Sequence, residues 1–284
     1  MESYISHNGK IIRSEEFSLG LDNRAFRFGD SVFETIRVSN LKVLFVEKHY
    51  RRLLRSFRLL SFKVDASFTN EYFEEIILNL VKANKIYGEN QRVRISFYRK
   101  SSSDIYFVDS NSDFEFVGES YPLKSSFYPL NDNIYEIDVF REIYKSKDVI
   151  STIKSNNVLL HSIAGQMVKE KNIDNVLLIN SDENISEAAN ANVFFVKGKE
   201  IITVPCSDGC VEGVFRSNLI ELLNNLGEYS FSERSVNVNE LIFFDEIFLT
   251  NSIMGIQPVD KYRNTKYSRK HSDLLLKKIN DNLV

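Results

Sequence analysis

The chain of 284 residues has little of what builds covalent or metal staples: two cysteines and four histidines. Cys206 and Cys210 stand in "PCSDGC" with three residues between them, which is neither a redox C-x-x-C pair nor half of a zinc set, and they read as reduced thiols in a loop. His7, His49, His161 and His271 are scattered with no pair at helical ligand spacing, so no metal is expected. Only four prolines, beside 43% hydrophobic and 26% charged residues, exclude a disordered or fibrous chain. A formal charge of -3 and a pI near 5.9 leave no basic excess to neutralise a phosphate backbone, which argues against nucleic acid and for a small-molecule site. The opening "MESYISHNGKII" has no basic stretch leading into an apolar one, and no run approaches a membrane span in length. The expected setting is therefore the cytoplasm, with no membrane partner. Repeats at solenoid periods and low-complexity tracts are also missing.

What is present has the size at which one core divides into two. "YISHNGKII" carries an Asn-Gly hairpin signal, and "SVFETIRVSNLKVLFV" reads as two β-rich runs joined at "SNLK". "EKHYRRLLRSFRLLSF" and "TNEYFEEIILNLVKANKI" repeat apolar residues at three- and four-residue steps, as at Phe73, Ile76, Ile77, Leu80 and Val81, with Thr69 or Asn70 placed to cap. With the strands "QRVRISFYR" and "FEFVGES", residues 1–118 form an expected α+β domain on a mostly antiparallel sheet. "ESYPLKSSFYPL" breaks both periodicities, so 119–130 is the expected linker and 131–284 the larger domain. There, "IYEIDVF", a short strand at Lys154 and a helix over "NNVLLHSIAGQMVKEKN" precede a β-rich meander through "NVLLIN", "ISEAANANVFFV" and "EIITVP". "VFRSNLIELLNNLG" predicts a helix closed by Gly227, and a last helix begins near Ser268.

Several residues have a chemistry to offer, each with an ordinary alternative. Gly213 ahead of the Val214 helix exposes amide donors at the positive end of a helix dipole, an anion site that most helix starts leave to water or a cap. Arg52 lies among Lys48, Arg51, Arg55 and Arg58 on a basic helix whose usual fate is solvation. Glu187, ahead of Ala188, Ala189 and Ala191, could meet a ring nitrogen of a flat ligand or be a surface acid. Lys154 could hold a cofactor or be a surface amine.

The order of these pieces narrows the choice. "FRFGDSVFETIRV", "HYRRL", "IKSNNVLLHSIAGQ", "ISEAANANVFFVKG", "GCVEGVFR" and "DEIFLTNSIMGIQPV" follow one another in a series that resembles the class IV, fold type IV aminotransferase family from about residue 4 to residue 262. That family binds pyridoxal 5'-phosphate and includes branched-chain aminotransferases, D-amino-acid aminotransferases and aminodeoxychorismate lyases. The resemblance implies a two-domain α+β fold, with a small N-terminal α/β sandwich-like domain and a larger C-terminal domain with a β-barrel-like core that carries the lysine. It implies that Lys154 bonds to the cofactor as a Schiff base and later moves the substrate's Cα proton, and that Glu187 keeps the pyridine nitrogen protonated. Arg52, the amides of Val214 and Phe215, and the Ser252 hydroxyl match the phosphate clamp. Asn157 matches an asparagine three residues after the lysine in many members, with helix capping as its other role. Phe28, Phe33 and Glu34 match positions that line or support the substrate pocket, the two phenylalanines being equally consistent with core packing. Arg94 and Arg99 suit carboxylate recognition, and are equally ordinary on a strand face.

Substrate choice is where the chain departs from its relatives. The Arg-x-His motif of D-amino-acid aminotransferases is missing from "KSSSDIYFVDS", the glycine-rich stretch usual after that strand is absent, and Ser31 stands where "FGDGVFET" has its second glycine. The expected activity is amino-group transfer between an L-amino acid, of the branched-chain class, and a 2-oxo acid. The alternative is an aminodeoxychorismate lyase that releases pyruvate and p-aminobenzoate; Phe28 and the K-x-x-N spacing leave room for it or for a D-specific relative. A non-catalytic binding protein on the same scaffold fits least, because Lys154, Glu187 and Arg52 are present together. Family resemblance also implies a homodimer, with the stretch from Arg27 to Phe33 reaching the neighbour's site.

Overall fold

The computed structural model describes residues 3–100, 107–109 and 111–283. The chain divides into two compact units, one comprising Met1–Ser126 with Ile153–Asn157 and the other Phe127–Thr152 with Val158–Val284.

The first unit begins with β1 (Tyr4–His7) and β2 (Lys10–Arg13), joined by Asn8 and Gly9 at φ 50° and 83°. Two successive positive φ values give the turn whose twist matches that of a hairpin, which is why Asn-Gly is found there. A one-turn helix α1 (Arg24–Phe28) follows, capped by the Asn23 side chain and ended by Gly29 in the left-handed conformation. Then come β3 (Ser31–Ser39), β4 (Lys42–Val43), α2 (Val46–Leu59), α3 (Asn70–Ala83), β5 (Gln91–Arg99) and β6 (Phe114–Pro122). Thr69 is the α3 cap, its hydroxyl accepting from the Tyr72 amide at 3.2 Å. The strands form one antiparallel sheet in the order β2-β1-β6-β5-β3-β4. Leu53 and Phe57 of α2 and the Phe73, Ile76, Ile77, Leu80 stripe of α3 bury against Ile36, Val38, Val93, Ile95 and Phe97 of the sheet. Burial at i, i+3, i+4 and i+7 is what a helix laid on a sheet requires.

The second unit contains β7 (Glu136–Phe140), α4 (Leu159–Lys171), β8 (Asn175–Ile179), β9 (Ile185–Ala188), β10 (Asn192–Lys197), β11 (Glu200–Thr203), α5 (Val214–Leu226), β12 (Ser230–Glu233), β13 (Glu246–Asn251), β14 (Gly255–Val259), β15 (Lys261–Tyr262), β16 (Thr265–Lys266) and α6 (Lys270–Asp281). Two five-stranded sheets, β12-β11-β10-β13-β14 and β16-β15-β7-β8-β9, share one apolar core that includes Val139, Leu177 and Ile185 from one and Val193, Phe195, Ile247 and Leu249 from the other. The barrel-like core is thus two open sheets packed face to face, neither closed on itself among the described residues. Gly227 ends α5 at φ 63°, as its position after the last apolar residue predicts.

Two local expectations are corrected. "ISEAANANVFFV" is two strands, because Ala188 and Ala191 pair with each other across a tight turn. The stretch around Lys154 is not a strand of its own: Val149–Thr152 is a 3-10 turn, and Ser155 makes a single bridge to Val32. That bridge, with Phe33 N–H to Lys154 O at 2.8 Å and Asn156 N–H to Ser31 O at 3.0 Å, sets residues 153–157 within the first unit.

Candidate active site

In the first unit the candidate residues gather at the start of β3. Backbone bonding to Phe33 and Ser31 holds both flanks of Lys154, and its Nζ lies 4.6 Å from the centroid of the Phe33 ring. The Arg94 guanidinium, from the neighbouring strand β5, lies 3.5 Å from the same centroid. Cations over an aromatic face are attracted by the ring quadrupole, so Phe33 fixes the height of both groups. Arg94 is further oriented by donating Nη2–H to Asn156 Oδ1 at 2.7 Å, and Asn156 Nδ2–H donates to Ser31 Oγ at 2.7 Å. A glycine at position 31 would have no hydroxyl to receive that bond. Asn157 Nδ2 reaches the Gly29 carbonyl at 3.3 Å, and Phe28, at the end of α1, is exposed with Arg24 over its ring at 4.8 Å.

Beneath β3 lies a buried triad. Arg52 of α2 donates Nε–H and Nη2–H to Glu34 Oε1 and Oε2 at 2.8 and 2.5 Å, and His49 Nδ1 meets Oε2 at 2.6 Å. All three are at most 8% exposed. Burial pushes the Glu34 carboxyl up, but the Arg52 charge and the bonds from His49 and Arg52 outweigh it and hold the pKa at about 2. Burial, aided by the Arg52 and Lys154 charges, lowers the His49 pKa against the bond and charge of Glu34, which favours the neutral ring with Nδ1–H facing the carboxylate. Arg99 is engaged elsewhere: it is buried, donates to Asp30 Oδ2 at 2.8 Å and to the Leu60 carbonyl at 2.6 Å, and so acts as a structural tie.

In the second unit Glu187, on β9, is 4% exposed. Its Oε1 accepts from Lys145 Nζ at 2.8 Å and from His161 Nε2 at 3.0 Å, and its Oε2 accepts from the Val211 amide at 2.8 Å. Burial raises its pKa, and the Lys145 charge with the His161 bond overrides this to leave it at about 2. Glu187 is therefore a fixed negative charge. The α5 start has Gly213 as its N-cap, no side-chain cap and no acidic residue in its first turn. A Cβ on Gly213 would fall 1.8 Å from Asn192 Oδ1, so only glycine leaves this approach open. Val214 and Phe215, the first two helical residues, are buried. Ser252 lies in the turn between β13 and β14, where its carbonyl accepts from Tyr128 Oη at 3.2 Å. A Cβ on Gly255, at φ 74°, would meet the Tyr128 ring at 2.7 Å.

The structure thus brings Lys154, Phe33, Arg94 and Asn157 together near the β3 start, and sets Arg52 in an ion pair that its sequence context did not reveal. His49, Asn156, Lys145 and His161 are polar members of these clusters that motif reading passed over. The segment "KSSSDIYFVDS", on which the argument against a D-amino-acid substrate rests, falls largely outside the described residues. Among the described residues no group of three or more His, Cys, Asp or Glu side chains is arranged to hold a metal ion, and no helix is long and apolar enough to cross a membrane.

Residues 31–262 match the family model described as "Amino-transferase class IV". The chain is similar to a probable branched-chain-amino-acid aminotransferase of Aquifex aeolicus, 24% identical over 280 residues that span 91% of this chain and 84% of that protein. It is similar to a D-alanine aminotransferase of Bacillus licheniformis, 23% identical with 89% and 86% covered. An aminodeoxychorismate lyase of Bacillus subtilis is 25% identical with 98% and 94% covered. Among solved structures, a branched-chain aminotransferase from Thermoproteus uzoniensis, crystallised with norvaline, superposes with a TM-score of 0.86 at 22% identity, covering 98% of this chain and 93% of that one.

Proposed function

Because the chain belongs to the amino-transferase class IV family of pyridoxal-phosphate enzymes, we propose that it moves an amino group between an L-amino acid of the branched-chain class and a 2-oxo acid, as a homodimer in the cytoplasm. The observation that carries this reading is the β3 cluster, in which one amine and one arginine are held over a single apolar ring.

The residues present fit the cofactor. Glu187 is an ionised, immobilised carboxylate able to keep a ring nitrogen protonated. The glycine-opened, acid-free start of α5 suits a phosphate, for which helix amides and dipole are the natural receptor. When bound, the cofactor supplies an electron sink for the pair left on substrate Cα after its proton departs. Lys154 is the residue assigned to hold the cofactor covalently and to move that proton at its Nζ. In the first unit Arg52, oriented by Glu34, is an assigned phosphate ligand and Asn157 holds the backbone beside the lysine at Gly29; in the second, Val214, Phe215 and Ser252 are assigned to the phosphate. Arg94 is assigned to the substrate carboxylate, its planar fork already set by Asn156 and Phe33, while Phe33 and Phe28 offer apolar surface to a hydrocarbon side chain. Exposed Leu21 and Phe26, with Phe28, give the segment before β3 the apolar surface that a second copy would cover.

The second reading is an aminodeoxychorismate lyase, supported by the relative of that name matched over 98% of the chain. One experiment separates the two. The cofactor-loaded protein is mixed with L-leucine, L-glutamate, D-alanine or aminodeoxychorismate, and visible absorbance and p-aminobenzoate fluorescence are followed. Conversion of the cofactor to its amino form by L-leucine, together with release of the matching 2-oxo acid, supports the transaminase. Release of p-aminobenzoate without that conversion overturns it in favour of the lyase.

A further inference from the structure

The loop from β11 to α5 carries both cysteines, and the proposed reaction gives them no part. Cys206 opens the 3-10 turn Cys206–Asp208 and is partly exposed, whereas Cys210 follows the left-handed Gly209 and is fully buried. A Cβ at Gly209, whose φ is 96°, would strike the Ser146 carbonyl at 2.3 Å, so the glycine is what lets the chain fold back here. The return places the Cys210 S–H toward Cys206 Sγ, 3.9 Å away, with the carbonyls of Pro205 and Val204 at 3.7 and 3.9 Å.

The surroundings distinguish the two sulfurs. Arg216 is buried, donates Nη2–H to the Val204 carbonyl at 2.9 Å and to Glu233 at 2.5 Å, and has no acceptor for its Nε–H among the described residues. The S–H of Cys210 and the Arg216 charge lower the Cys206 pKa to about 7, against burial and the weaker opposition of Glu212 and Glu233. Cys210 is pushed up, first by donating to Cys206, then by burial, then by the charges of Cys206 and Glu187, with Arg216 opposing. One sulfur is partly exposed and shifted toward its thiolate form, and the other is a buried thiol aimed at it.

We propose that Cys206 and Cys210 form an oxidisable dithiol, in which Cys206 attacks a small-molecule disulfide and Cys210 resolves the product into an internal disulfide. In the first step the Cys206 thiolate forms a bond to one sulfur of the small disulfide, the S–S bond breaks, and one thiolate leaves. Capping Cys206 removes its negative charge and its claim on the Cys210 proton, so Cys210 can now ionise. As the Cys210 sulfur bonds to Cys206, the bond from Cys206 to the small sulfur breaks and the departing thiolate takes the Cys210 proton. Counting the proton that Cys206 released on ionising, the protein loses two electrons and two protons, and the small disulfide becomes two thiols. The sulfurs need to close from 3.9 Å to about 2.05 Å. Such exchange suits a reducing compartment in which disulfides are transient.

The test uses the reduced, cofactor-loaded enzyme, exposed to oxidised glutathione, quenched with N-ethylmaleimide and weighed intact. The expected product carries no maleimide, no glutathione, and a mass lower by two hydrogens. The Cys210→Ser variant is expected to stop with one glutathione on Cys206. In a parallel series, the iodoacetamide rate at Cys206 in the unmodified sequence rises with a midpoint near pH 7. The proposal is overturned if both maleimides still add after exposure that oxidises dithiothreitol, if glutathione persists on the unmodified sequence, or if the disulfide joins two chains. A midpoint in the ordinary thiol range of about 8.5 would remove Cys206 as the attacking group.

Discussion

Replacing Arg52 by methionine tests the buried triad most directly, and its magnitude follows from the burial of the pair. Arg52 and Glu34 are 8% and 1% exposed and bonded through both carboxylate oxygens. Removing one member of such a pair leaves a desolvated charge, a loss of about 3–5 kcal/mol. The Glu34 carboxyl is held at about 2 against its burial by Arg52 and His49 together, so its ionised form contributes on the order of 3 kcal/mol to folding at neutral pH, of which Arg52 supplies a part. The expected loss is therefore about 3–5 kcal/mol, a large share of a typical domain stability of about 5–15 kcal/mol. Because Arg52 is also an assigned phosphate ligand, the assay is urea unfolding of the cofactor-free protein, followed by circular dichroism. Glu34→Gln keeps an acceptor for His49 but orphans Arg52, so the double variant should recover at least about 1.5 kcal/mol relative to additivity. The sign with pH is fixed. Glu34 has a depressed folded pKa, so its contribution is present above pH 4.5 and disappears as the pH falls through 2, and the gap between the parent and Arg52→Met must narrow over that window. A loss under about 1 kcal/mol, additive with Glu34→Gln and unchanged by acid, would mean the pair behaves as a solvated surface bridge and the burial argument is wrong.

Other outcomes follow from the same geometry. Lys154→Ala should lower turnover by at least about 10²–10⁴-fold, the usual value of a positioned proton-transfer group, while leaving the unfolding midpoint close to that of the parent; retained turnover would strip Lys154 of its assignment. Gly213→Ala forces a methyl to 1.8 Å from Asn192 Oδ1, and a strain of about 1–3 kcal/mol at the α5 start should weaken pyridoxal-phosphate binding roughly tenfold or more in a fluorescence titration. Unchanged affinity would place the phosphate elsewhere. Ser31→Gly removes the acceptor of the Asn156 amide, and the loss of about 0.5–1.5 kcal/mol of orientation at Arg94 should appear as a several-fold rise in the amino-acid KM with little change in kcat. An equal fall in kcat would mean that the bond serves Lys154 instead.

Much of the architecture was readable because it is local. Asn8-Gly9, Thr69 and Gly227 do at their positions what their backbone and capping chemistry allows, and the α3 stripe at Phe73, Ile76, Ile77, Leu80 and Val81 is buried along its length. The long-range pairings were not. Nothing near Lys145 hints that it meets Glu187, 42 positions later, because a lysine in "REIYKSKD" has the composition of any loop cation. The two-residue turn inside "ISEAANANVFFV" was hidden because alanine and asparagine carry no φ signature as strong as glycine or proline. Residues 153–157 belong with β3 through two backbone bonds and one bridge, a tertiary choice that overrides their place in the chain.

The triad occupies an intermediate case, and it shows what a better reading would have used. On α2, the buried residues His49, Arg52, Leu53, Ser56 and Phe57 fall at i, i+3, i+4, i+7 and i+8, so Arg52 lies on the apolar face while Arg51 and Arg58 point away from it. The basic run therefore has one member, set by the 3.6-residue period, that must be desolvated. A buried arginine requires an acid, and β3 supplies one: "SVFETIRVS" is buried on both faces, and Glu34 is its single carboxylate. Arg52 and Glu34 could have been paired from sequence by asking which cation the helix period forces inward and which anion the strand cannot expose. The same question does not reach the Glu187–Lys145 pair, because Lys145 comes from a loop, where no period dictates which side chain turns inward.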